Sequence, residues 1–307
     1  MNRPNLRDKI KQGLFLLDGA MGTELIARGI GLGKCHDYVN IESPQTVLDV
    51  HMSYLNAGSS AVLTNTFGAN AYALARHGLA DKVVQINTAG AKIARQAAGD
   101  QKYVLGDIGP CGDFLEPIGL LKPNELKQAF TDQAQALIAA GVDGLIIETM
   151  TALDELKIAI PAAKSVSGAL PVFASMAFDH ANGRFTTMMG AGVESAIVVM
   201  SDAGADAVGF NCGTASLDEY VTLARRFVSI ITASAIDVPI FAEPNAGRPQ
   251  LIDDKAVYKI SPDAFAKGVA GIHAAGINII GGCCGTTPSH IAVLAKQLTP
   301  PTFPSKL

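Results

Sequence analysis

A degenerate repeat along the chain limits its possible folds more than any other feature. In each copy a small residue and a glycine end a predicted helix, and an apolar run of β-forming residues follows. Glycine suits this cap because it adopts positive φ without steric cost. The four copies are Asn56-Ala57-Gly58 before residues 61–67, Ala140-Gly141 before 144–150, Ala203-Gly204 before 207–212 and Ala275-Gly276 before 277–284.

Four further apolar runs fill the gaps between these copies, at residues 14–20, 103–108, 171–178 and 239–245. Near-continuous apolar runs are typical of parallel strands that are buried on both faces. Helical segments separate most of the runs, and three of these segments open with a capping residue followed by proline. They begin at Ser43-Pro44, Ser261-Pro262 and Thr287-Pro288.

Eight alternating β and α units in 307 residues predict an α/β fold, a parallel eight-stranded (β/α)8 TIM barrel. We expect one domain over residues 1–307, with a Pro-rich tail at 299–307. An open doubly wound sheet is the alternative, but no Gly-x-Gly-x-x-Gly pattern follows the first strand.

The C-terminal ends of barrel strands carry the chemistry in this fold. In this chain those ends collect polar, glycine and metal-capable residues, at 18–23, 64–67, 107–110, 148–150, 211–213, 243–247 and 282–285. The register alone therefore predicts a site at this rim of the barrel.

Three of the five cysteines fall at two of these strand ends. Cys212 follows strand six, and Cys283 and Cys284 follow strand eight, so three sulfurs are expected to meet as the ligands of an open zinc site. A strained vicinal disulfide or simple packing would explain the adjacent pair but not Cys212. Cys35 and Cys111 end no strand beside another thiol and are predicted to be small buried hydrophobes.

Three thiolates around Zn²⁺ leave a net charge of about minus one, which makes the metal a poor electrophile toward water and a good holder of another soft ligand. A coordinating thiol loses its proton. The result is a nucleophilic thiolate at neutral pH, although a free thiol has a pKa of about 8.5. This chemistry favours thiol alkylation over hydrolysis.

A second group of residues indicates what kind of substrate contains the thiol. Asp18 and Glu148, at the ends of strands one and four, are candidates to hold an ammonium group, and the turn at 19–23 offers backbone N–H groups to a carboxylate. Alternatively, Asp18 caps the first turn and Glu148 pairs with a surface lysine. The position beside a metal favours an amino-acid thiol as substrate.

Composition excludes several other functions. Lys and Arg number 24 against 28 Asp and Glu, without a dense basic cluster, so nucleic acid is not an expected partner. No apolar stretch reaches the roughly 18 residues that cross a bilayer. An odd number of cysteines suits a reducing compartment, and we expect a cytoplasmic protein. The terminal Ser305-Lys306-Leu307 is interpreted as a chance tripeptide rather than a peroxisomal address.

The histidines and one loop are given no role in the chemistry. No histidine lies in a His-x-x-x-His or His-Glu pair, so each is predicted to be a surface residue or a satisfied core residue. Asn182-Gly183 predicts a turn after strand five.

The motifs together resemble the homocysteine S-methyltransferase family over about residues 14–298. They are Leu17-Asp18-Gly19-Ala20-Met21-Gly22-Thr23, Asn65-Thr66-Phe67, Glu148-Thr149, Gly209-Phe210-Asn211-Cys212 and Gly281-Gly282-Cys283-Cys284-Gly285-Thr286-Thr287-Pro288. The resemblance implies a zinc-dependent transfer of a methyl group to homocysteine, which gives methionine.

The resemblance also implies a role for each site residue. Zinc would be held by Cys212, Cys283 and Cys284, with Asn245 as a fourth ligand when homocysteine is absent. Other residues form the implied substrate site. They are Asp18 and Glu148 for the amino group, the backbone at Ala20 and Met21 for the carboxylate, and Asn211.

Members of this family use different methyl donors. The elements at 243–247 and 284–288 resemble the homocysteine-binding module of cobalamin-dependent methionine synthase, while S-methylmethionine enzymes commonly carry Arg after the paired cysteines. Betaine enzymes usually have Tyr where this chain has Thr149. The resemblance therefore favours a methylated corrinoid, such as methylcobalamin, presented by a separate corrinoid protein or module. No folate or cobalamin module is recognised after strand eight, so we expect a split system or a piece of a larger enzyme.

Two other functions stay open at this point. One is a methyltransferase that acts on selenohomocysteine or another small thiol, or that takes its methyl group from S-methylmethionine or betaine. The other is a non-catalytic module that binds homocysteine and zinc without turnover. A store of zinc has no use for a clamp that holds an amino acid, which favours the enzyme.

Overall fold

The computed structural model describes residues 3–252 and 255–299, and eight parallel strands form its central sheet. This confirms the predicted (β/α)8 TIM barrel. The barrel strands are β1 Phe15–Leu16, β2 Ala61–Leu63, β3 Tyr103–Ile108, β4 Gly144–Met150, β5 Val172–Met176, β6 Ala207–Asn211, β7 Ile240–Glu243 and β8 Ile279–Ile280.

The sheet is nearly closed into a cylinder, in the order β1-β8-β7-β6-β5-β4-β3-β2. Between β1 and β2 the Ser60 N–H donates to the Leu16 carbonyl at 2.7 Å. Two residues after Leu16, a side chain replaces the backbone ladder, because the Asp18 carboxylate accepts the Leu63 N–H at 3.1 Å. Asp18 therefore holds the two edges of the sheet together.

A helix follows each strand and packs on the outside of the barrel. These helices are α1 Pro44–Asn56, α2 Val83–Ala98, α3 Pro123–Ala139, α4 Leu153–Ser167, α5 Val193–Asp202, α6 Leu217–Ala233, α7 Pro262–Ala274 and α8 Pro288–Leu298. The three predicted Ser-Pro and Thr-Pro starts are confirmed at α1, α7 and α8. The capping glycines Gly58, Gly141, Gly204 and Gly276 all have positive φ, between 90° and 110°.

Two strands and two antiparallel strand pairs differ from a simple eight-unit pattern. Strands β1 and β8 are two residues long, shorter than predicted. The residues that follow them at the rim make isolated hydrogen bonds instead of a regular ladder, such as that from the Gly282 N–H to the Asp18 carbonyl at 2.9 Å. Asn182 and Gly183 both have positive φ and turn a hairpin after β5, as predicted. A second antiparallel pair of strands, Gln250–Ile252 with Lys255–Val257, was not predicted.

His51 on α1 contradicts the expectation that a core histidine is satisfied. It is fully buried, and neither ring nitrogen has a hydrogen-bond partner among the described residues. Burial lowers the pKa of His51 to about 3. An imidazole of this kind costs stability, because its polar atoms lose water without gaining a partner.

We expect His51→Leu to make the protein more resistant to acid. The unfolded chain binds a proton at His51 below pH about 6.5, whereas the folded chain does so only near pH 3. The wild type should therefore lose up to about 1.4 kcal/mol of unfolding free energy per pH unit below 6.5 through this residue. Urea denaturation of both proteins at pH 7.5 and 5.5 measures the effect. A stability difference that does not grow as the pH falls would contradict it.

The single-domain assignment for residues 1–307 stays a prediction. Most of the Pro-rich tail, with Ser305-Lys306-Leu307, lies outside the described residues. Within residues 3–252 and 255–299, no helix combines the length and apolar character that a membrane span requires.

Candidate metal centre and substrate cavity

The three predicted ligand cysteines meet at the C-terminal rim of the barrel. The Cys212 and Cys284 Sγ atoms are 4.0 Å apart, the Cys283 and Cys284 Sγ atoms are 3.9 Å apart, and all three sulfurs lie within 4.8 Å of one another. Zn–S bonds of 2.3 Å in a tetrahedron place sulfurs about 3.8 Å apart. The spacing fits one ion, and the three cysteines are free thiols rather than a vicinal disulfide.

Backbone turns after β6 and β8 aim these thiols at one point. Cys212 has a φ of 51°, a left-handed conformation that is uncommon outside glycine, and Gly213 continues it with a φ of 80°. A Cβ at Gly213 would lie 2.1 Å from the Phe178 carbonyl oxygen, so only glycine fits there. The Cys283 N–H donates to the Pro244 carbonyl at 2.9 Å, which fixes the second turn against the end of β7.

The side-chain amide of Asn245 lies beside this cluster. Its Nδ2 donates to the Gly213 carbonyl at 2.8 Å and lies 3.9 Å from the Cys212 Sγ. Its Oδ1 is buried and has no hydrogen-bond partner within the part of the chain that the structure describes. Hydrogen bonds from Cys212 and Cys283 lower the pKa of Cys284, whereas contacts with the other two sulfurs raise the pKa of Cys283, so one thiol of the cluster ionises more readily than its neighbour. One orphaned oxygen and three sulfurs, one of them readily ionised, form a donor set that suits zinc.

A cavity of about 490 Å³ opens beside the cysteines. Four of the five predicted substrate residues line it, namely Asp18, Ala20, Met21 and Glu148. Asn211 is not among its lining residues. The Ala20 N–H already donates to the Thr286 hydroxyl at 3.1 Å. The first-turn N–H groups of the helix Met21–Ala27 have no acceptor within the helix, so they are the more available donors for a carboxylate.

Asn211 lies behind Glu148 and orients it. The buried Asn211 amide donates to the Glu148 carboxylate and to the Thr149 hydroxyl, and its Oδ1 accepts the Thr149 N–H at 2.9 Å. Ser175 holds the same oxygen at 2.8 Å. These bonds stabilise Thr149 at a φ of 59°, which is strained for a β-branched residue. Direct contact of Asn211 with substrate stays a prediction.

Neither alternative role for the two predicted carboxylates matches the structure. The helix Met21–Ala27 has no side-chain cap, and Glu148 makes no salt bridge among the residues that the structure describes. Burial raises the pKa of Glu148 to about 7, and the nearby Cys212 adds to this. Burial also raises the pKa of Asp18. A cation bound between Asp18 and Glu148 would favour the ionised form of both carboxylates, and their negative charges would balance its charge.

Two further acids line the same cavity, and sequence reasoning gave them no role. Asp107 is the last residue but one of β3 and Glu243 ends β7, and their exposed fractions are 6% and 2%. One sequence feature could have identified them, since each is a carboxylate inside an apolar run that was predicted to be buried, where an unpaired charge is costly.

The outer part of the cavity has a different character. Lys34, His36 and His77 line it, together with Phe67, whose side chain is 39% exposed. Cys35 also lines this part and is only partly buried, unlike the prediction, whereas Cys111 is buried as predicted.

The fold and this site define a (β/α)8 barrel whose rim carries a three-cysteine cluster that fits a metal, next to an acid-lined cavity. The family model for homocysteine S-methyltransferase matches residues 15–298. The chain therefore belongs to the homocysteine S-methyltransferase family, as its motifs predicted.

Known proteins similar to this chain include methionine synthases and a smaller enzyme. The methionine synthase of Mycobacterium tuberculosis is 32% identical over 96% of this chain, and that of Mycobacterium leprae is 31% identical over the same share. The chain spans about a quarter of the length of these relatives, 25% in each case. The metallated form of the homocysteine methyltransferase MmuM from Escherichia coli has the same fold, with a TM-score of 0.74 and 24% identity over 94% of this chain and 97% of that one.

Proposed function

We propose that this protein transfers a methyl group to the sulfur of homocysteine and forms methionine, with zinc bound at Cys212, Cys283 and Cys284. The observation that carries the proposal is the meeting of these three sulfurs within 4.8 Å on the wall of a cavity that also holds Asp18 and Glu148. A cavity that joins thiol-binding chemistry to acidic groups suits a substrate with both a thiol and an ammonium group.

Zinc, when bound, lowers the pKa of a coordinating thiol and supplies a nucleophilic thiolate at neutral pH. The chain's own residues provide the orientation. Glu148 and Asp18 accept hydrogen bonds from the substrate ammonium, and the backbone at Ala20 and Met21 faces its carboxylate. Asn211 fixes the Glu148 carboxylate, so little conformational freedom is lost when substrate binds. Asn245 is the proposed oxygen ligand in the absence of substrate.

The outer part of the cavity bears on the methyl donor. Onium groups such as those of betaine and S-methylmethionine are usually bound in aromatic cages. Among the described residues that line this cavity, Phe67 is the only Phe, Tyr or Trp, and Lys34 adds positive charge to the same lining. These features support a donor without an onium group, so we propose a methylated corrinoid on another protein or module.

A cluster of three reduced thiols requires a reducing compartment, which supports a cytoplasmic location.

A panel of donors tests this proposal. The zinc-loaded protein is incubated with homocysteine and, separately, methylcobalamin, S-methylmethionine or betaine, and methionine is measured by mass spectrometry. We expect methionine with methylcobalamin and a rate at least about tenfold lower with the two onium donors. Faster reaction with either onium donor would overturn the choice of donor. Binding of homocysteine without methionine from any donor would favour the non-catalytic module.

A further inference from the structure

We propose that Asp107 is the third acceptor for the substrate ammonium group and so determines the preference of the cavity for an α-amino thiol. This inference rests on the proposed function and adds a residue to its binding site. An ammonium group has three N–H donors, and a buried one is costly unless every donor is satisfied. The predicted clamp supplies two carboxylates, Asp18 and Glu148, and each already accepts a hydrogen bond from this chain.

Asp18 is the first of these carboxylates. Its Oδ2 accepts the Leu63 N–H and closes the barrel between β1 and β2. That bond holds Asp18 in place but uses part of its capacity to accept hydrogen bonds. A third carboxylate in the same cavity would leave each acid one N–H donor of the ammonium group to accept.

Asp107 has the properties of that acceptor. It lines the cavity, its exposed fraction is 6%, and its Oδ1 is buried with no partner among the described residues. The charge of Glu148 acts on the Asp107 carboxyl group, and both residues line this cavity. Even a protonated Asp107 keeps an oxygen that accepts a hydrogen bond. A buried oxygen without a partner is rare and points to a ligand that completes it.

The backbone at Asp107 is fixed from both sides. Its N–H donates to the Thr64 hydroxyl at 2.9 Å, and its carbonyl accepts the Thr66 hydroxyl at 2.7 Å. The carboxyl group therefore stands on a rigid strand end, which suits a residue that selects substrate by position. Burial, and next the charge of Glu148, raise the pKa of Asp107. A bound cation relieves this repulsion.

The experiment compares two ligands that differ only in the amino group, methionine and 4-(methylthio)butanoate, and measures their Kd values by calorimetry. It needs no methyl donor and no turnover. We expect Asp107→Asn and Asp107→Ala to weaken methionine binding about 10- to 150-fold, the range for a hydrogen bond to a charged group. Binding of 4-(methylthio)butanoate should change less than about threefold, so the preference for the amino group is lost.

Asp143→Asn is the matched control. Asp143 lies at the opposite end of the barrel, where it pairs with Arg3 and Arg95 and accepts the Val104 N–H at 2.8 Å. Its loss should lower stability and leave the ratio of the two Kd values unchanged. The inference is overturned if folded Asp107 variants keep the wild-type ratio, or if both ligands weaken equally. A wild-type protein with no preference for methionine would instead refute the ammonium clamp of the proposed function.

Discussion

Cys283→Ser is expected to abolish both zinc retention and methyl transfer. Cys283 lies 3.9 Å from Cys284 and shares the same cluster with Cys212. Structural zinc sites with four ligands bind with about 10–16 kcal/mol, so one lost thiolate should weaken binding roughly a hundred- to a thousandfold. Serine is a poor replacement because zinc prefers the softer sulfur and a hydroxyl does not ionise at neutral pH. Metal analysis after dialysis and a methionine assay measure the two effects.

Cys35→Ser is the control for this substitution. Cys35 is a partly buried thiol outside the three-cysteine cluster, and burial raises its pKa to about 11. We expect this variant to keep one zinc per chain. Unchanged methyl transfer by a zinc-free Cys283→Ser protein would refute the assignment of the metal site.

Glu148→Gln is expected to raise the KM for homocysteine with a much smaller change in kcat. The substitution keeps the size of the side chain and an oxygen that can accept from Asn211, but removes the charge that faces the ammonium. Removing one partner of a buried charge pair costs about 2–5 kcal/mol, which corresponds to a KM roughly 30- to 5,000-fold higher. The effect belongs to KM because the ammonium is held equally in the ground state and the transition state.

The pH dependence separates this charge effect from general damage. Glu148 has a pKa of about 7 and binds an ammonium as the carboxylate, so the affinity of the wild type for methionine should rise between pH 6 and 8. In Glu148→Gln the rise over this range should be smaller. Glu155→Gln, at another buried glutamate that accepts the Cys111 N–H at 2.7 Å, should keep the wild-type KM. A normal KM in Glu148→Gln would remove Glu148 from the clamp.

Much of this site was predictable because strand ends meet at one rim of a barrel. The positions of Cys212, Cys283 and Cys284 after strands six and eight were enough to predict that their sulfurs converge. Asp18 and Glu148 were found by the same reasoning, and both line the cavity.

The features that were missed depend on tertiary contacts that no local pattern records. The backbone conformation of Thr149 is held by the Asn211 side chain from β6, a bond between residues 62 positions apart. The barrel-closing role of Asp18 requires knowledge of where β2 lies. Asp107 and Glu243 stood at predicted strand ends, but their orphaned oxygens are visible only once the cavity is assembled.

X-ray absorption at the zinc edge, on freshly reduced protein with and without homocysteine, tests the central claim most directly. We expect three sulfur ligands at about 2.3 Å and one lighter ligand without substrate, and four sulfurs after homocysteine is added. A protein that holds no zinc, or an ion with fewer than three sulfur ligands, would contradict the account.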